Sequence, residues 1–121
     1  MKSRLVLTTD GDETYQSLYF WCPGCEQIRG GEKYGGAHSL PVTPTTKKTF
    51  WEFDGNLELP TLSPSILTRG HFYTGPDTPA REYVCHSFLK AGIFQFLSDC
   101  THSLANQFVP IPDLPEWWAG E

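Results

Sequence analysis

The chain has 121 residues and a formal net charge of −5, enough for one domain with a modest core. Its nine basic residues are scattered, with only Lys47 and Lys48 adjacent. That excludes the basic face a nucleic-acid grip needs and offers no attraction to an anionic membrane. No apolar run approaches the ~20 residues of a spanning helix, and the N-terminus lacks a signal-peptide pattern, so a soluble, cytoplasmic protein is expected.

Residues 4–9, "RLVLTT", form a β-branched run closed by the turn signal "DGD". A second strand is expected over 17–22, "SLYFWC", leading into Cys-Pro-Gly-Cys. The glycine-rich stretch 26–37 reads as a loop, because "EQIRGG" breaks too soon for a helix. "HSLPV" (38–42) suits a short strand. Residues 48–56 alternate and then turn at Asp54, Gly55 and Asn56. Prolines 60 and 64 make 59–67 an edge strand or an ordered loop. Residues 71–81 read as a turn-rich connection.

The cleanest signal is a β-hairpin over 82–98, turning at Lys90, Ala91 and Gly92. Alternation puts Cys85 and Ser87 on one face, and His86 and Phe88 on the other. On the return strand Phe94, Phe96, Ser98 and Cys100 share a face. Which faces match depends on a turn register that the sequence leaves open. The one helical turn allowed lies near 101–107. The proline-rich tail 108–121 should run extended over the surface, with Trp117 and Trp118 folded back on the body. The expected class is therefore mainly β, a small single domain (1–121) of short antiparallel strands and hairpins with a zinc-knuckle-like site.

In a reducing compartment four cysteines read as metal ligands or reactive thiols rather than as two disulfides. Cys22 and Cys25 have knuckle spacing: Pro23 fixes φ and Gly24 permits the tight bend. A hairpin would bring Cys85 and Cys100 close, so Cys22, Cys25, Cys85 and Cys100 are the expected zinc ligands. His38, His86 or His102 could replace one sulfur. A thioredoxin-like redox pair needs a helix after Cys25, and small core thiols are the plainest alternative.

His86, Asp99 and His102 sit near one hairpin end, and Ser63 and Ser65 sit in the proline-stiffened "PTLSPS". Ser, His and Asp are the nucleophile, base and orienter of an acyl-transfer site. Two His with Asp are equally the parts of a catalytic zinc site with an open position.

Taken together, "FWCPGC", "HSLPV", "WEFDGNLELPTLSPSIL", "CHSFLKAGIFQFLSDCTHSLANQ" and "VPIPDLP" resemble the DUF6527 family over roughly residues 18–115. The resemblance implies metal binding, and for some relatives a place beside bacterial ubiquitin-like conjugation genes. The matching positions are Cys22, Cys25, His38, Ser65, Cys85, His86, Asp99, Cys100 and His102. The loop before His38 is longer than the family's. The family's "LAGQ" reads Leu104, Ala105, Asn106, Gln107 here, and Asn is the residue after glycine that best tolerates positive φ.

The expected function is a zinc-stabilised hydrolase, a peptidase acting on a protein tail such as a ubiquitin-like precursor. Its candidate catalytic residues are Ser65, His86, Asp99 and His102. The alternative is a non-enzymatic zinc-ribbon-like module that binds a protein partner. In it, the same His and Asp would only support the metal.

Overall fold

The structure is a computed structural model, and it describes residues 1–30, 32–72 and 75–119. Eight strands form two antiparallel sheets. The first holds β1 (Ser3–Asp10), β2 (Glu13–Trp21) and β3 (Ala37–Pro41) in the order β1-β2-β3. The second holds β4 (Glu52–Phe53), β5 (Leu62–Phe72), β6 (Arg81–Lys90), β7 (Ile93–Phe96) and β8 (Phe108–Pro110) in sequence order. Two short helices complete the elements of the described residues: α1 (Pro23–Ile28) and α2 (Glu116–Ala119). No helix among the described residues is long and apolar enough to cross a membrane.

Both two-residue hairpin turns need positive φ, and residues at both turns have it. Gly11 has φ +62 in the β1–β2 turn, where Asp10 faces Glu13. Ala91 and Gly92 have φ +48 and +74 in the β6–β7 turn, where Lys90 faces Ile93. This is the sign the strand twist requires of a tight hairpin.

The second hairpin fixes the register that matters. Ser87 faces Phe96 and Leu89 faces Phe94, so the odd residues of β6 join the two phenylalanines on the inner face. There they meet Leu18 and Phe20 from the first sheet and Cys22 and Cys25 from the start of α1, with Leu62, Ile66 and Ile111 closing the core. Phe94 is wholly buried. Phe94→Ala should therefore cost about 3–5 kcal/mol, read as a drop in the urea midpoint. A cost under about 1 kcal/mol would mean that the two sheets do not pack through this residue.

Three elements differ from expectation. Residues 23–28 are helical: Pro23 opens α1, where its missing N–H costs nothing, and Cys22 Sγ caps it by accepting from Cys25 N–H at 3.5 Å. β5 runs further than expected, to Phe72, and beyond its short pairing with β4 at Leu62 and Ser63 it is an edge strand. Pro64 sits in a bulge, where 63–65 are accommodated between the Leu62↔Leu89 and Ile66↔Ser87 pairs, and the Ser63-Pro64 bond is cis. Residues 101–107 form turns without a helix, and Asn106 has φ +65 there, as its tolerance of that region allows. Of the 71–81 connection, residues 73 and 74 lie outside the described residues.

The tail packs back as well as running along the surface. Leu114 N–H donates to Met1 O, and Trp118 is buried, stacked on Tyr19 at 4.9 Å. Trp117 stays 43% exposed.

Candidate functional site

Two clusters lie on opposite faces of β6, one strand position apart. The inner cluster is built on Cys85, and the outer one on His86.

On the inner face, Cys22 and Cys25 come from the N-terminus of α1, and Cys85 comes from β6. Cys22 Sγ and Cys85 Sγ are 3.7 Å apart. Two sulfurs on one tetrahedral zinc, each about 2.3 Å from it, are about 3.8 Å apart. His38 on β3 faces Phe20, stacks on its ring, and brings Nε2 to 3.3 Å from Cys25 Sγ. Cys22, Cys25 and His38 are close enough to bind one metal ion.

Crowding three thiols has an electrostatic consequence. Cys22, through its hydrogen bond to Cys25 first of all, is pushed up to about 12. Cys85 is pushed up further by Cys22 and Cys25. Cys25 receives the hydrogen bonds of Cys22 and Cys85 and is held far below the ordinary thiol range. The cluster thus favours one thiolate among protonated neighbours. A dication bound there would supply the field that ionises the rest.

His102 belongs to this inner cluster rather than to the outer one. It is buried, with Nε2 3.3 Å from Cys85 Sγ. Its Nδ1 accepts the Leu104 N–H at 3.2 Å, and burial lowers its pKa, opposed by the Cys25 charge. A neutral ring with an acceptor Nδ1 carries its proton on Nε2, so His102 donates to the Cys85 sulfur. Gly24 makes room for it: a Cβ there would lie 2.4 Å from His102 Nε2.

Cys100, expected with the other three thiols, is placed differently. Its Sγ accepts from His86 N–H and lies equally close to His86 O, both at 3.2 Å. The cause is register. The backbone groups of His86 point toward the β7 side, where Leu97 N–H also meets His86 O, so the Cys100 sulfur bonds main chain there while the residue packs against the margin of the core.

On the outer face, Ser65, His86 and Asp99 form a chain of hydrogen bonds. His86 Nε2 is 3.1 Å from Ser65 Oγ, and Nδ1 is 3.0 Å from the nearer Asp99 oxygen and 3.3 Å from the other. With Nδ1–H donating to the carboxylate, Nε2 is the acceptor for the serine hydroxyl. Each member has a separate anchor. Ser65 stands at the end of the β5 bulge, with its carbonyl held by Trp51 Nε1–H at 3.2 Å. His86 is fixed by β6 and by the Cys100 sulfur. Asp99 sits in the turn closed by Cys100 N–H to Leu97 O. Ser63 is exposed and faces Glu52 instead.

The His86 side chain is 24% exposed and Asp99 53%. A pair so wet adds little stability; what it does is hold the ring in one tautomer and orientation. Beside it lies a cleft of about 500 Å³ that takes in Gln95, Leu97 and Phe108. Phe108 is 69% exposed.

Of the residues singled out in the sequence, the structure thus brings Ser65, His86 and Asp99 together on one face. It gathers Cys22, Cys25, Cys85, His38 and His102 on the other, and puts Cys100 between the two. A zinc shared by His86, Asp99 and His102 is not what the geometry provides, because His102 lies against the Cys85 sulfur in the thiol cluster. Sequence reasoning does not single out Trp51 as a support of Ser65, because a contact across the sheet from Nε1 to a main-chain carbonyl leaves no trace in residue spacing.

A family model described as bacterial ubiquitination-like system serine protease (BubE) matches residues 1–97. No curated protein and no solved structure gives a match.

Proposed function

We propose, from the premise that the chain belongs to the BubE family of bacterial ubiquitination-like system serine proteases, that Ser65 is its nucleophile, His86 its general base and Asp99 the group that orients His86. The observation that carries the reading is the unbroken Ser65–His86–Asp99 hydrogen-bond chain at 3.1 and 3.0 Å. Such a chain is the recognisable geometry of activated serine nucleophiles on unrelated folds.

In this reading Ser65 Oγ attacks the carbonyl carbon of a peptide bond while His86 Nε2 takes its proton. The imidazolium is stabilised through Nδ1–H by Asp99. His86 then gives the proton to the departing amine, leaving an ester on Ser65. A water, deprotonated by the same Nε2, releases the acid and restores the hydroxyl. General-base assistance of this kind is worth about 10²–10⁴ in rate.

The metal role follows from the donor set. Thiolates with an imidazole suit zinc, and Cys22, Cys25, Cys85 and His38 would hold it, with His102 donating to the Cys85 sulfur. All four positions are then filled by protein, so the ion is structural. It would tie α1 and β3 to the strand that carries His86. The substrate is a protein with an accessible tail, such as the precursor of a ubiquitin-like protein, in keeping with the family description.

The test is labelling with a fluorophosphonate probe, which phosphonylates an activated serine, followed by peptide mapping. Ser65 is expected to carry the adduct, with none on Ser63, and labelling should fall at least tenfold in His86→Ala. An unlabelled Ser65 in metal-replete protein would sink the assignment.

A further inference from the structure

We infer that the protein tail reaches Ser65 as an added β-strand, paired antiparallel to the free edge of β5 over residues 67–71. This rests on the serine-protease reading above and names how its substrate is held.

In an antiparallel ladder each residue points both its N–H and its C=O to one side. On β6, Val84 and His86 point to the β7 side: Thr101 N–H meets Val84 O, and Leu97 N–H meets His86 O. The odd residues of β6 therefore point toward β5. Their partners are Ile66 opposite Ser87, Thr68 opposite Cys85 and Gly70 opposite Tyr83. It follows that Leu67, Arg69 and His71 point their N–H and C=O groups the other way, away from β6.

Nothing among the described residues meets them there. β4 pairs with β5 only through Glu52 and Phe53, opposite Ser63 and Leu62. Beyond that, Trp51 Nε1–H covers Ser65 O, and from Leu67 onward no described residue pairs with the edge. Three donors and three acceptors stand in a row on a strand firmly paired on its other side. Such an edge recruits an extended chain.

The edge also leads to the right place. Leu67 faces His86 across the β5–β6 pair, so it shares the outer face with His86, and it is 48% exposed. An antiparallel guest starts beside His71 and runs toward Ser65. Its residues preceding the scissile bond lie on the edge, and its carboxyl end arrives at Ser65 Oγ. A folded protein with a flexible C-terminal tail suits that direction. Leu67 then gives an apolar contact to one side chain of the guest close to the scissile bond.

The test uses a degenerate decapeptide library with cleavage sites read by mass spectrometry, then N-methyl scanning of a cleaved peptide. Added-strand binding predicts a period of two. Methylation at alternate amides before the scissile bond should lower kcat/KM at least tenfold, with the intervening positions within about twofold of the parent. Arg69→Pro removes an outward N–H and no bond to β6, so KM for the parent peptide should rise at least tenfold. If that variant does not fold, the scan on the wild-type protein decides alone. Ser65 labelled by fluorophosphonate, but with a flat or aperiodic scan or no cleaved peptide, would overturn the edge and leave the nucleophile standing. An unlabelled Ser65 would remove both. A stable dimer that Arg69→Pro dissolves, with peptide cleavage unchanged, would make the edge a self-association surface and refute the inference.

Discussion

Ser65→Ala is expected to lower kcat/KM for a cleaved peptide by at least about 10⁴-fold while leaving the thermal midpoint nearly unchanged. The separation of the two readouts follows from where the hydroxyl points. Ser65 is half-buried on the outer face, its structural contact is a carbonyl that alanine keeps, and among the described residues its Oγ hydrogen-bonds only His86. His86→Ala should cost about as much. The double variant should cost little more than either alone, because a nucleophile without its base and a base without its nucleophile are equally idle. Asp99→Asn should leave the fold intact and still lose about 10²–10⁴, since the amide cannot accept Nδ1–H in the same way. Ser63→Ala serves as the control and should stay within about twofold of wild type, its side chain being exposed and away from His86. Retention of more than a tenth of the activity in Ser65→Ala would end this account, since water with a lone imidazole cannot replace an activated serine at that rate.

Stripping the metal is expected to be the second large effect, on stability first and on turnover through it. Three thiols and two imidazoles converge in the core of a small domain, and structural zinc in small domains contributes about 10–16 kcal/mol of apparent binding energy. Protein treated with a strong chelator should lose cooperative unfolding or fall sharply in midpoint. Peptide cleavage should fall with it, because Cys85 and His86 are consecutive on one strand. Elemental analysis should give one zinc per chain, lost in Cys25→Ser and weakened in His38→Ala. It should be retained in Cys100→Ser, whose sulfur meets the His86 backbone. His102→Ala should keep the ion but bind it about 10–100-fold more weakly, the usual cost of losing a hydrogen bond to a ligand. Acid should release the metal, since the thiols must be deprotonated to bind it. Full activity and an unshifted midpoint in metal-free protein would refute the structural role.

The hairpin of β6 and β7 was legible because every local signal agreed: alternation, aromatic content and a turn with glycine. The positive φ at Asn106 was legible for the same reason, a residue type suited to one backbone shape. α1 was not. Its six residues owe their helicity to Pro23 at the first position and to the Cys22 sulfur acting as cap, and no periodicity can build up over so short a span. Pro60 and Pro64 point to an edge, and β5 is one beyond Ser63, but its length was not legible: Pro60 precedes the strand and a bulge absorbs Pro64, so neither proline ends it. How the candidate ligands divide was beyond reach for a third reason. Whether Cys100 or His38 joins Cys22 and Cys25 depends on which side a backbone group faces in a ladder. That is a matter of tertiary register rather than of residue type.

The adjacency of Cys85 and His86 has a consequence for what this chain can become. Because side chains alternate along a strand, gaining or losing a single residue in β6 on the N-terminal side of this pair, with pairing beyond it kept, would exchange the two faces. The sulfur would turn to solvent and the imidazole into the core, and both sites would fail at once. Length variation should therefore be barred from β6 and from the turn that sets its pairing with β7. The β1–β2 tip, which bears neither cluster, is free to lengthen. A scan of single-codon insertions and deletions through the gene, scored for folded protein and for turnover, would draw that map directly.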